Sequence, residues 1–344
     1  MTTTGPNFGV LATAHVLGAP APVSGLLGPD VPEAARRALL ARGYRRYHRA
    51  PDGTGVTDLA VEAATRAIEK AGVEPGRIDL LVLALTDLSE YLYWDAAAAV
   101  QARLGAHRAE AVLLTQACSC GVVAFDAVAG KLATHPAYRT AVLVGANRVC
   151  EPYWDRAEAG TSVSSDGAAA AVLVRDHPHL RWRVTEVLTD GRYAGLMRMP
   201  GGTAHPFTPA DPAIPTVGRL ADRTADFFAG DGRATYQYAM TVRARHRTVL
   251  DRACARIGIT TDDLARVIYL HDTGPAFTEL AAVLDIPVEL TNRDLALDAG
   301  HLGAADQIYS LEQHLARDEL ISGDTVALLS IGTGMHWACT LLTV

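Results

Sequence analysis

A pattern of strands and helices that recurs at a nearly constant offset constrains the fold of this 344-residue chain more than any other feature. The apolar segment around Leu81 has a counterpart at Val267, 186 positions later, and the segment around Ala141 has one at Val326, 185 positions later. Two α/β patterns can agree by chance, but landmarks that keep one offset are typical of an internal duplication. The sequence therefore predicts two similar halves.

Short apolar runs alternate with Ala-rich amphipathic stretches in both halves. This alternation predicts an α/β fold in which the sheets are largely buried. The predicted strands are Leu80–Leu85, Ala111–Leu114, Thr140–Val144, Ala168–Val174, Val267–Leu270, Thr325–Ser330 and Ala338–Val344. The predicted helices are Val56–Ala71, Ala96–Leu104, Ser119–Ala133, Arg247–Ile257 and Leu302–Ala316.

The two halves are predicted at residues 1–178 and 241–344, with an insertion or cap region at 179–240 between them. Within that region, Leu180–Tyr236 is rich in Gly, Pro, Thr and Arg. A loop of this length in a compact domain is usually a lid or a binding segment. An ordered surface excursion is the alternative.

The composition excludes several classes of protein. The net charge is −7, from 31 Lys and Arg against 38 Asp and Glu, so the chain as a whole lacks the excess of basic residues that is typical of a nucleic-acid-binding protein. We find no apolar run near the ~20 residues of a membrane helix and no secretory signal pattern, so neither nucleic acid nor membrane is expected as a partner. Five cysteines, an odd number, fit free thiols in a reducing cytoplasm better than a disulfide framework.

Cys118 is the candidate nucleophile. It follows a short apolar strand and precedes an apolar helix, within Gln116–Val122 (QACSCGV). A thiol at a helix N-terminus meets unpaired N–H groups and the positive end of the helix dipole, which favour the reactive thiolate. A buried filler cysteine is the alternative. Cys118 and Cys120 could also bind a metal, but no second Cys or His pair at ligand spacing accompanies them, so no metal site is predicted.

Two histidines stand where predicted strands or turns end. His271, followed by Asp272, ends a strand, and His301 lies at a turn 183 positions after Cys118. In layered α/β folds such edges carry binding sites, although a lone His is more often a satisfied structural residue. The glycine turn Gly332–Gly334 would let N–H groups approach a carbonyl oxygen, as an oxyanion hole requires; a simple tight turn is the alternative.

In order and in spacing, these segments resemble the ketoacyl synthase III family over nearly the whole chain. Cys118 lies thirteen residues after Gly105, which is the family's spacing from its Leu-Gly pair to its nucleophile. The resemblance implies a thiolase-like α/β fold of two duplicated halves packed as five layers, αβαβα. The other matching segments are Arg42–Ala50, Ser165–Val174, Tyr269–Gly274, Gly300–Ala305 and Ile331–Ala338.

The family's usual catalytic set is Cys, His and Asn, and the matching positions here are Cys118, His271 and His301. In the family, the Asn and the His hold the thioester oxygen of a malonyl group, so loss of the Asn argues against decarboxylative condensation. Related elongating synthases work with Cys-His-His, which keeps condensation open as the alternative function. An acyltransferase needs a general base for the acceptor's proton. His301 is the candidate base, with Asp272 orienting or charging one of the imidazoles.

The segment GHLGAADQ resembles a Gly-His-x-Gly-x-x-Asp-Gln segment of family members that transfer acyl groups in natural-product pathways. It makes Asp306 a second candidate carboxylate, with a helix-surface charge as the alternative. The resemblance implies transfer of an acyl group from coenzyme A or an acyl carrier protein, through a Cys118 thioester, to an amine or hydroxyl of a small molecule. No cofactor beyond the donor thioester is expected. The oxyanion would be stabilised by backbone N–H groups of Cys118, Gly332, Thr333 and Gly334.

Tyr91–Trp94 (YLYW) resembles the family segment that crosses a dimer interface and reaches the partner's acyl pocket. A homodimer is therefore expected, with Tyr93 and Trp94 at the substrate site. Aromatic anchors are favoured at interfaces. A local core cluster is the alternative.

Four arginines fall within Arg42–Arg49 of an otherwise acidic chain. Arginine binds phosphate well, so Arg42, Arg45 and Arg46 are candidates for the phosphates or the phosphopantetheine arm of the donor. Ordinary solvated charges are the alternative.

Overall fold

The computed structural model describes residues 7–28, 31–151, 154–158, 160–198 and 220–344. Its strands are β1 (Phe8–Leu17), β2 (Ala19–Pro22), β3 (Arg46–Arg49), β4 (Leu80–Leu85), β5 (Glu110–Leu114), β6 (Thr140–Asn147), β7 (Gly167–Arg175), β8 (Arg181–Thr189), β9 (Leu264–Tyr269), β10 (Thr325–Gly332) and β11 (His336–Thr343). Its helices are α1 (Glu33–Leu40), α2 (Val56–Ala71), α3 (Ala96–Arg103), α4 (Cys120–Thr134), α5 (Leu220–Phe227), α6 (Gly232–Ile257), α7 (Gly274–Leu284), α8 (Arg293–Ala299) and α9 (Asp306–Ala316).

The large sheet is built from two halves that share a four-strand topology, and the first half has β5 as an additional edge strand. Its strand order is β5-β4-β6-β7-β1 followed by β8-β11-β10-β9, and the two runs join through the pair Gly9 and Arg181. In the first run β4 and β6 are parallel, and β6, β7 and β1 are successively antiparallel. In the second run β9 and β10 are parallel, and β10, β11 and β8 are successively antiparallel. The predicted internal duplication is confirmed.

The helices arrange the molecule in five layers. Helices α4 and α9 lie between the two halves of the sheet, in one apolar core with residues of both halves. Helices α2 and α3 cover the outer face of the first half, and α6 and α7 cover that of the second. This is the αβαβα arrangement that the sequence predicts.

Burial explains why these segments are so apolar. All six residues of β4 are buried, as expected for a strand covered on both faces. Contrary to the sequence analysis, one stretch, Ala117–Thr134, is long and apolar enough to cross a membrane by length and composition. In this structure it contains α4, which packs between the two halves of the sheet. A helix with apolar residues on every side is typical of such a core position.

The region predicted as an insertion contains regular structure that the sequence analysis missed. Residues Arg181–Thr189 form β8 and pair with β11 along its length. Helix α6 begins at Gly232 rather than at the predicted Arg247, because the Asp231 side chain caps it by accepting from two backbone N–H groups. Both segments are rich in exposed polar residues, which hid their periodicity. The Pro-rich stretch 199–219 lies outside the described residues, and the domain boundaries stay a prediction.

Candidate active site

Cys118 lies on a tight turn between β5 and α4. Ala117 adopts a positive φ of 48°. The turn is closed by backbone hydrogen bonds from Ser119 to Gln116 and from Cys120 to Ala117, at 3.3 and 3.1 Å. Helix α4 begins at Cys120, so the half-buried thiol of Cys118 stands just before the helix N-terminus. The turn places it where the helix dipole favours an anion.

The neighbouring thiol, Cys120, is in a different environment. It is buried, and its Sγ lies 2.8 Å from the Ala117 carbonyl oxygen and 3.4 Å from that of Leu85. Burial raises the pKa of Cys120 to about 12. This raised pKa favours the neutral thiol, so Cys118 rather than Cys120 is the candidate nucleophile.

His301 links the thiol to a carboxylate. The Sγ atom of Cys118 is 3.0 Å from Nε2 of His301, and Nδ1 of His301 is 2.7 Å from Oδ2 of Asp306. Burial alone would lower the pKa of His301, but the charges and hydrogen bonds of Asp306 and Cys118 outweigh it and hold this pKa well above its ordinary value. The arrangement therefore favours the protonated, imidazolium form of His301, with the sulfur atom of Cys118 beside its ring.

Asp306 is the carboxylate that orients His301. It is fully buried at the start of α9 and also accepts hydrogen bonds from the backbone N–H groups of Leu302 and His271, at 2.6 and 2.8 Å. Burial would raise the pKa of Asp306, but the two histidines outweigh it and lower this pKa. The carboxylate that hydrogen-bonds to His301 is thus Asp306 and not Asp272, the residue to which the sequence analysis gave first place.

His271 does not face the nucleophile. Its ring is fully buried, with Nδ1 at 2.7 Å from the Gly300 carbonyl oxygen and Nε2 at 2.8 Å from Oγ of Ser310. Burial lowers the pKa of His271, which favours the neutral ring. With both ring nitrogens engaged inside the core, the predicted role in activating the acceptor has no geometric support. His271 instead anchors Asp306 through its backbone N–H.

Cys118 and His301 open into a cavity of about 490 Å³ between the two halves. Asp272 lines the same cavity, and its Oδ1 accepts a hydrogen bond of 2.7 Å from the backbone N–H of Thr273. Asp87, which no motif indicated, lines it as well. Its position just after a buried strand is the one sequence signal that could have found it.

The predicted glycine turn approaches the nucleophile from the second half. Gly332 and Thr333 line the cavity, whereas Gly334 is not among its described lining residues. A Cβ on Gly332 would lie 2.5 Å from Oγ of Ser119, so only glycine fits there. Oγ of Ser330 donates to the Cys118 carbonyl oxygen at 2.9 Å, which ties the turn to the nucleophile's backbone. The oxyanion role of this turn stays a prediction.

The predicted donor-binding arginines divide into two groups. Arg45 and Arg46 are held near the Asp298 carboxylate, with N–O distances of 3.0 and 4.0 Å. Neither lines the cysteine cavity. Arg42 lines an adjoining cavity of about 780 Å³, which shares Gly160 and Thr161 with the cysteine cavity. Among the three, Arg42 is the one that lines a cavity next to that of Cys118, and its role in donor binding stays a prediction.

The aromatic cluster is largely on the surface. Tyr93 is fully exposed, while Trp94 is half-buried and packs edge to face against Tyr91, with ring centroids 5.1 Å apart. Neither Tyr93 nor Trp94 is among the described residues that line the cysteine cavity of the same chain.

Comparisons with known proteins identify the family of this chain. Residues 254–344 match the model of the 3-oxoacyl-[acyl-carrier-protein] synthase III C-terminal region. The chain is 30% identical over 302 residues to the β-ketoacyl-[acyl-carrier-protein] synthase III of Nitratidesulfovibrio vulgaris, covering 87% of this chain and 86% of that one. This chain belongs to the ketoacyl synthase III family. It is 31% identical over 303 residues to the corresponding enzyme of Pseudomonas aeruginosa, covering 87% and 85% of the two chains.

Solved structures confirm the thiolase-like fold. The acyltransferase ChlB3 superposes with a TM-score of 0.85 at 24% identity, with 98% of each chain covered. The 3-oxoacyl-(acyl carrier protein) synthase III of Pseudomonas aeruginosa PAO1 superposes with a TM-score of 0.76 at 26% identity, again over 98% of each chain. The protein is therefore a ketoacyl synthase III-like enzyme of the transferase class.

Proposed function

We propose that this ketoacyl synthase III-like protein is an acyltransferase that moves an acyl group, through a thioester on Cys118, to a hydroxyl or amine of a small molecule. The observation that carries the proposal is the hydrogen-bonded series of Cys118, His301 and Asp306. It provides a nucleophile, a base and a carboxylate that stabilises the protonated base, which are the groups that acyl transfer through a covalent enzyme intermediate requires.

In the first step the Cys118 thiolate attacks the carbonyl carbon of the donor thioester. A new C–S bond forms, the donor C–S bond breaks, and the departing thiolate takes the proton held on Nε2 of His301. The products are an acylated Cys118, a neutral His301 and the free donor thiol. The relatives' names include an acyl carrier protein, so we propose such a carrier or coenzyme A as the donor.

In the second step neutral His301 takes the acceptor's proton while the acceptor oxygen or nitrogen attacks the acyl carbon. The C–S bond to Cys118 breaks, the acylated product leaves, and the thiolate and imidazolium are restored. Asp306 stabilises the imidazolium that forms at His301. Backbone N–H groups of Cys118 and of the Gly332–Gly334 turn are proposed to stabilise the oxyanion in both steps.

Decarboxylative condensation with a malonyl thioester is the second candidate, because the relatives are named as synthases. On that mechanism His271 and His301 would both donate hydrogen bonds to the malonyl thioester oxygen. The ring of His271 is instead engaged with Gly300 and Ser310, away from the cavity. His301 alone is left to hold the enolate oxygen, which favours transfer over condensation.

Product analysis separates the two functions. The enzyme is incubated with an acyl thioester donor, a panel of amine and hydroxyl acceptors, and, in a second series, a malonyl carrier thioester. Transfer predicts an acylated acceptor that forms with or without malonyl thioester, and no release of CO2. A β-keto product that appears only with malonyl thioester, together with CO2, would establish condensation instead.

We also propose that the protein acts in the cytoplasm, in natural-product (polyketide-type) biosynthesis.

We propose in addition that the protein is a homodimer. The connection between β4 and α3 carries an exposed apolar surface, formed by Leu88, Tyr91, Leu92 and Tyr93. Apolar patches of this kind mark interfaces. Light scattering at micromolar concentration should give about twice the chain mass of 36.4 kDa, and Tyr93→Asp should shift the mass towards the monomer. A wild-type mass equal to that of one chain would exclude the dimer.

A further inference from the structure

Two carboxylates face the acyl cavity from corresponding places in the two halves. Asp87 follows the end of β4, and Asp272 follows the end of β9. The strands β4 and β9 correspond in the duplication. Strand β4 is parallel to β6, which pairs with β7 in an antiparallel manner, and β9 is parallel to β10, which pairs with β11 in the same way. Both side chains line the cavity that contains Cys118 and His301. Each half of the duplicated fold thus contributes an acid to the wall of the cavity that contains the nucleophile and the base.

Within the described residues, neither Asp87 nor Asp272 has a Lys or Arg side chain as a partner. No Lys or Arg occurs among the described residues that line the cavity, and in the described part of the chain none forms an ion pair with Asp87 or Asp272. Glu279 also lines the cavity, but Arg243 pairs with it. The described cavity wall therefore holds two acids, Asp87 and Asp272, that no described Lys or Arg side chain balances.

Acylation removes a positive charge that favours the ionised form of Asp272. In the resting enzyme the imidazolium of His301 interacts favourably with Asp272. After acylation the thiolate has become a neutral thioester and His301 has lost its proton to the donor thiol. Burial raises the pKa of both Asp87 and Asp272, which disfavours the charged form of each carboxyl group. Each carboxylate accepts a backbone hydrogen bond but has no Lys or Arg partner among the described residues. A half-buried carboxylate without a cationic partner is costly, and a cationic ligand would offset that cost.

We propose that the acceptor carries a protonated amino group, bound by Asp87 and Asp272, and that anionic acceptors are excluded from the acylated enzyme. This inference rests on the proposed acyl transfer and specifies the charge of its acceptor. It assigns Asp87 and Asp272 as specificity-determining residues, separate from the series Cys118, His301 and Asp306. A malonyl thioester, which carries a free carboxylate, is an unfavourable ligand for the same reason.

Three small probes of matched size and different charge test the proposal: ethanolamine is cationic at neutral pH, ethylene glycol is neutral and glycolate is anionic. Cys118 is first acetylated with the N-acetylcysteamine thioester of acetate, and acetyl transfer to each probe is followed by mass spectrometry with the background without enzyme subtracted. We expect kcat/KM to fall about tenfold from ethanolamine to ethylene glycol, and further to glycolate. Higher salt should compress this order.

Substitution of the two aspartates tests the same preference for a cationic acceptor. In the double variant Asp87→Asn, Asp272→Asn the preference for ethanolamine over ethylene glycol should fall about tenfold. The matched control Asp294→Asn, which removes an equal charge from an exposed side chain outside the cavity, should retain the wild-type order. An unchanged preference in the double variant overturns the inference.

The wild-type enzyme alone also decides the question, should the double variant fail to fold. Use of glycolate equal to or better than that of ethanolamine, or an order insensitive to salt, overturns the inference. If Cys118 is acetylated and the acetyl group is transferred to the three probes without any preference for charge, the cationic acceptor is rejected. The proposed acyl transfer is then left intact. Absence of acyl transfer, with release of CO2 from a malonyl thioester, rejects the proposed function itself.

Discussion

The side chains of Cys118 and His301 meet at 3.0 Å although they belong to different halves of a duplicated fold. Each residue lies on the turn that precedes a helix of the middle layer, Cys118 before α4 and His301 before α9. These two helices pack together between the two halves of the sheet. The duplication therefore brings the starts of the two helices together, with the nucleophile on one and the base on the other.

Replacement of the two neighbouring cysteines tests the nucleophile. Cys118→Ala should abolish acylation of the protein by an acyl thioester, because it removes the thiol that contacts His301. Cys120→Ala should remain acylated, because the Cys120 thiol is buried and directed at backbone carbonyl groups. Intact-protein mass spectra after incubation with the donor measure both. A persistent acyl adduct in Cys118→Ala would refute the assignment.

Loss of His301 should impair transfer more than loading. The turn before α4 still favours the thiolate in His301→Ala, so acylation of Cys118 continues at a reduced rate. The acceptor, in contrast, has no base to take its proton, and removing a general base typically slows a step by about 10²–10⁴-fold. Stopped assays that quantify acyl-enzyme and product separately should show the acyl-enzyme accumulating.

The amide variant at the same position separates transfer from condensation. His301→Asn restores the residue usual in the family, but an amide is not a base at neutral pH. On the transfer mechanism it should behave like the alanine variant. Increased decarboxylation of a malonyl thioester by His301→Asn would favour condensation, and product formation by His301→Ala at the wild-type rate would exclude His301 as the base.

Asp306→Asn should destabilise the fold in a manner that depends on pH. Because the pKa of His301 is higher in the folded than in the unfolded protein, protonated His301 stabilises the fold. This stabilisation is fully present below about pH 6.5 and is lost as the pH rises through the pKa of His301 in the folded protein. Because the pKa of Asp306 is lower in the folded than in the unfolded protein, ionised Asp306 also stabilises the fold. This stabilisation is present above about pH 3.9 and is lost as the pH falls through the pKa of Asp306 in the folded protein. Breaking this buried pair should cost about 3 kcal/mol at about pH 5.5, and less at strongly alkaline pH.

Urea denaturation of wild type and variant across this pH range measures the difference. The control Asp298→Asn removes an exposed carboxylate that pairs with Arg45, and should change the free energy of unfolding by less than about 1 kcal/mol. A cost for Asp306→Asn that stays constant from mildly acidic to strongly alkaline pH would show that the ion pair with His301 does not stabilise the fold.

Arg42 is expected to contribute to donor binding, whereas Arg45 is not. Arg42 lines the cavity that adjoins the cysteine site, and Arg45 is occupied by Asp298 and the Asp294 carbonyl oxygen. Arg42→Ala should raise KM for an acyl-CoA or carrier-bound donor and leave acylation by a short uncharged thioester unchanged. Arg45→Ala is the matched control, with KM as in wild type. An equal loss with both donors in Arg42→Ala would indicate a folding defect rather than lost donor binding.

The sequence by itself determined the layered α/β fold and its duplication, because strand and helix periodicity and the glycines that end elements are local properties. It also singled out Cys118 and His301, since each stands at a turn before a predicted helix. It could not determine which carboxylate reaches His301. Asp272 and Asp306 are both close to a histidine in the chain, and only the fold of the turn before α9 directs Asp306 to the ring.

Other properties of the site also depend on long-range packing. The burial of the His271 ring against Gly300 and Ser310 follows from how β9 meets α9, and no motif encodes that direction. Strand β8 is a strand because β11 pairs with it, not because its own residues alternate clearly. Asp87 and Asp272 face one cavity only after the two halves have packed together. The sequence supplied these side chains, and the tertiary structure decided their neighbours, because side chains far apart in the chain meet only through packing of the elements that carry them.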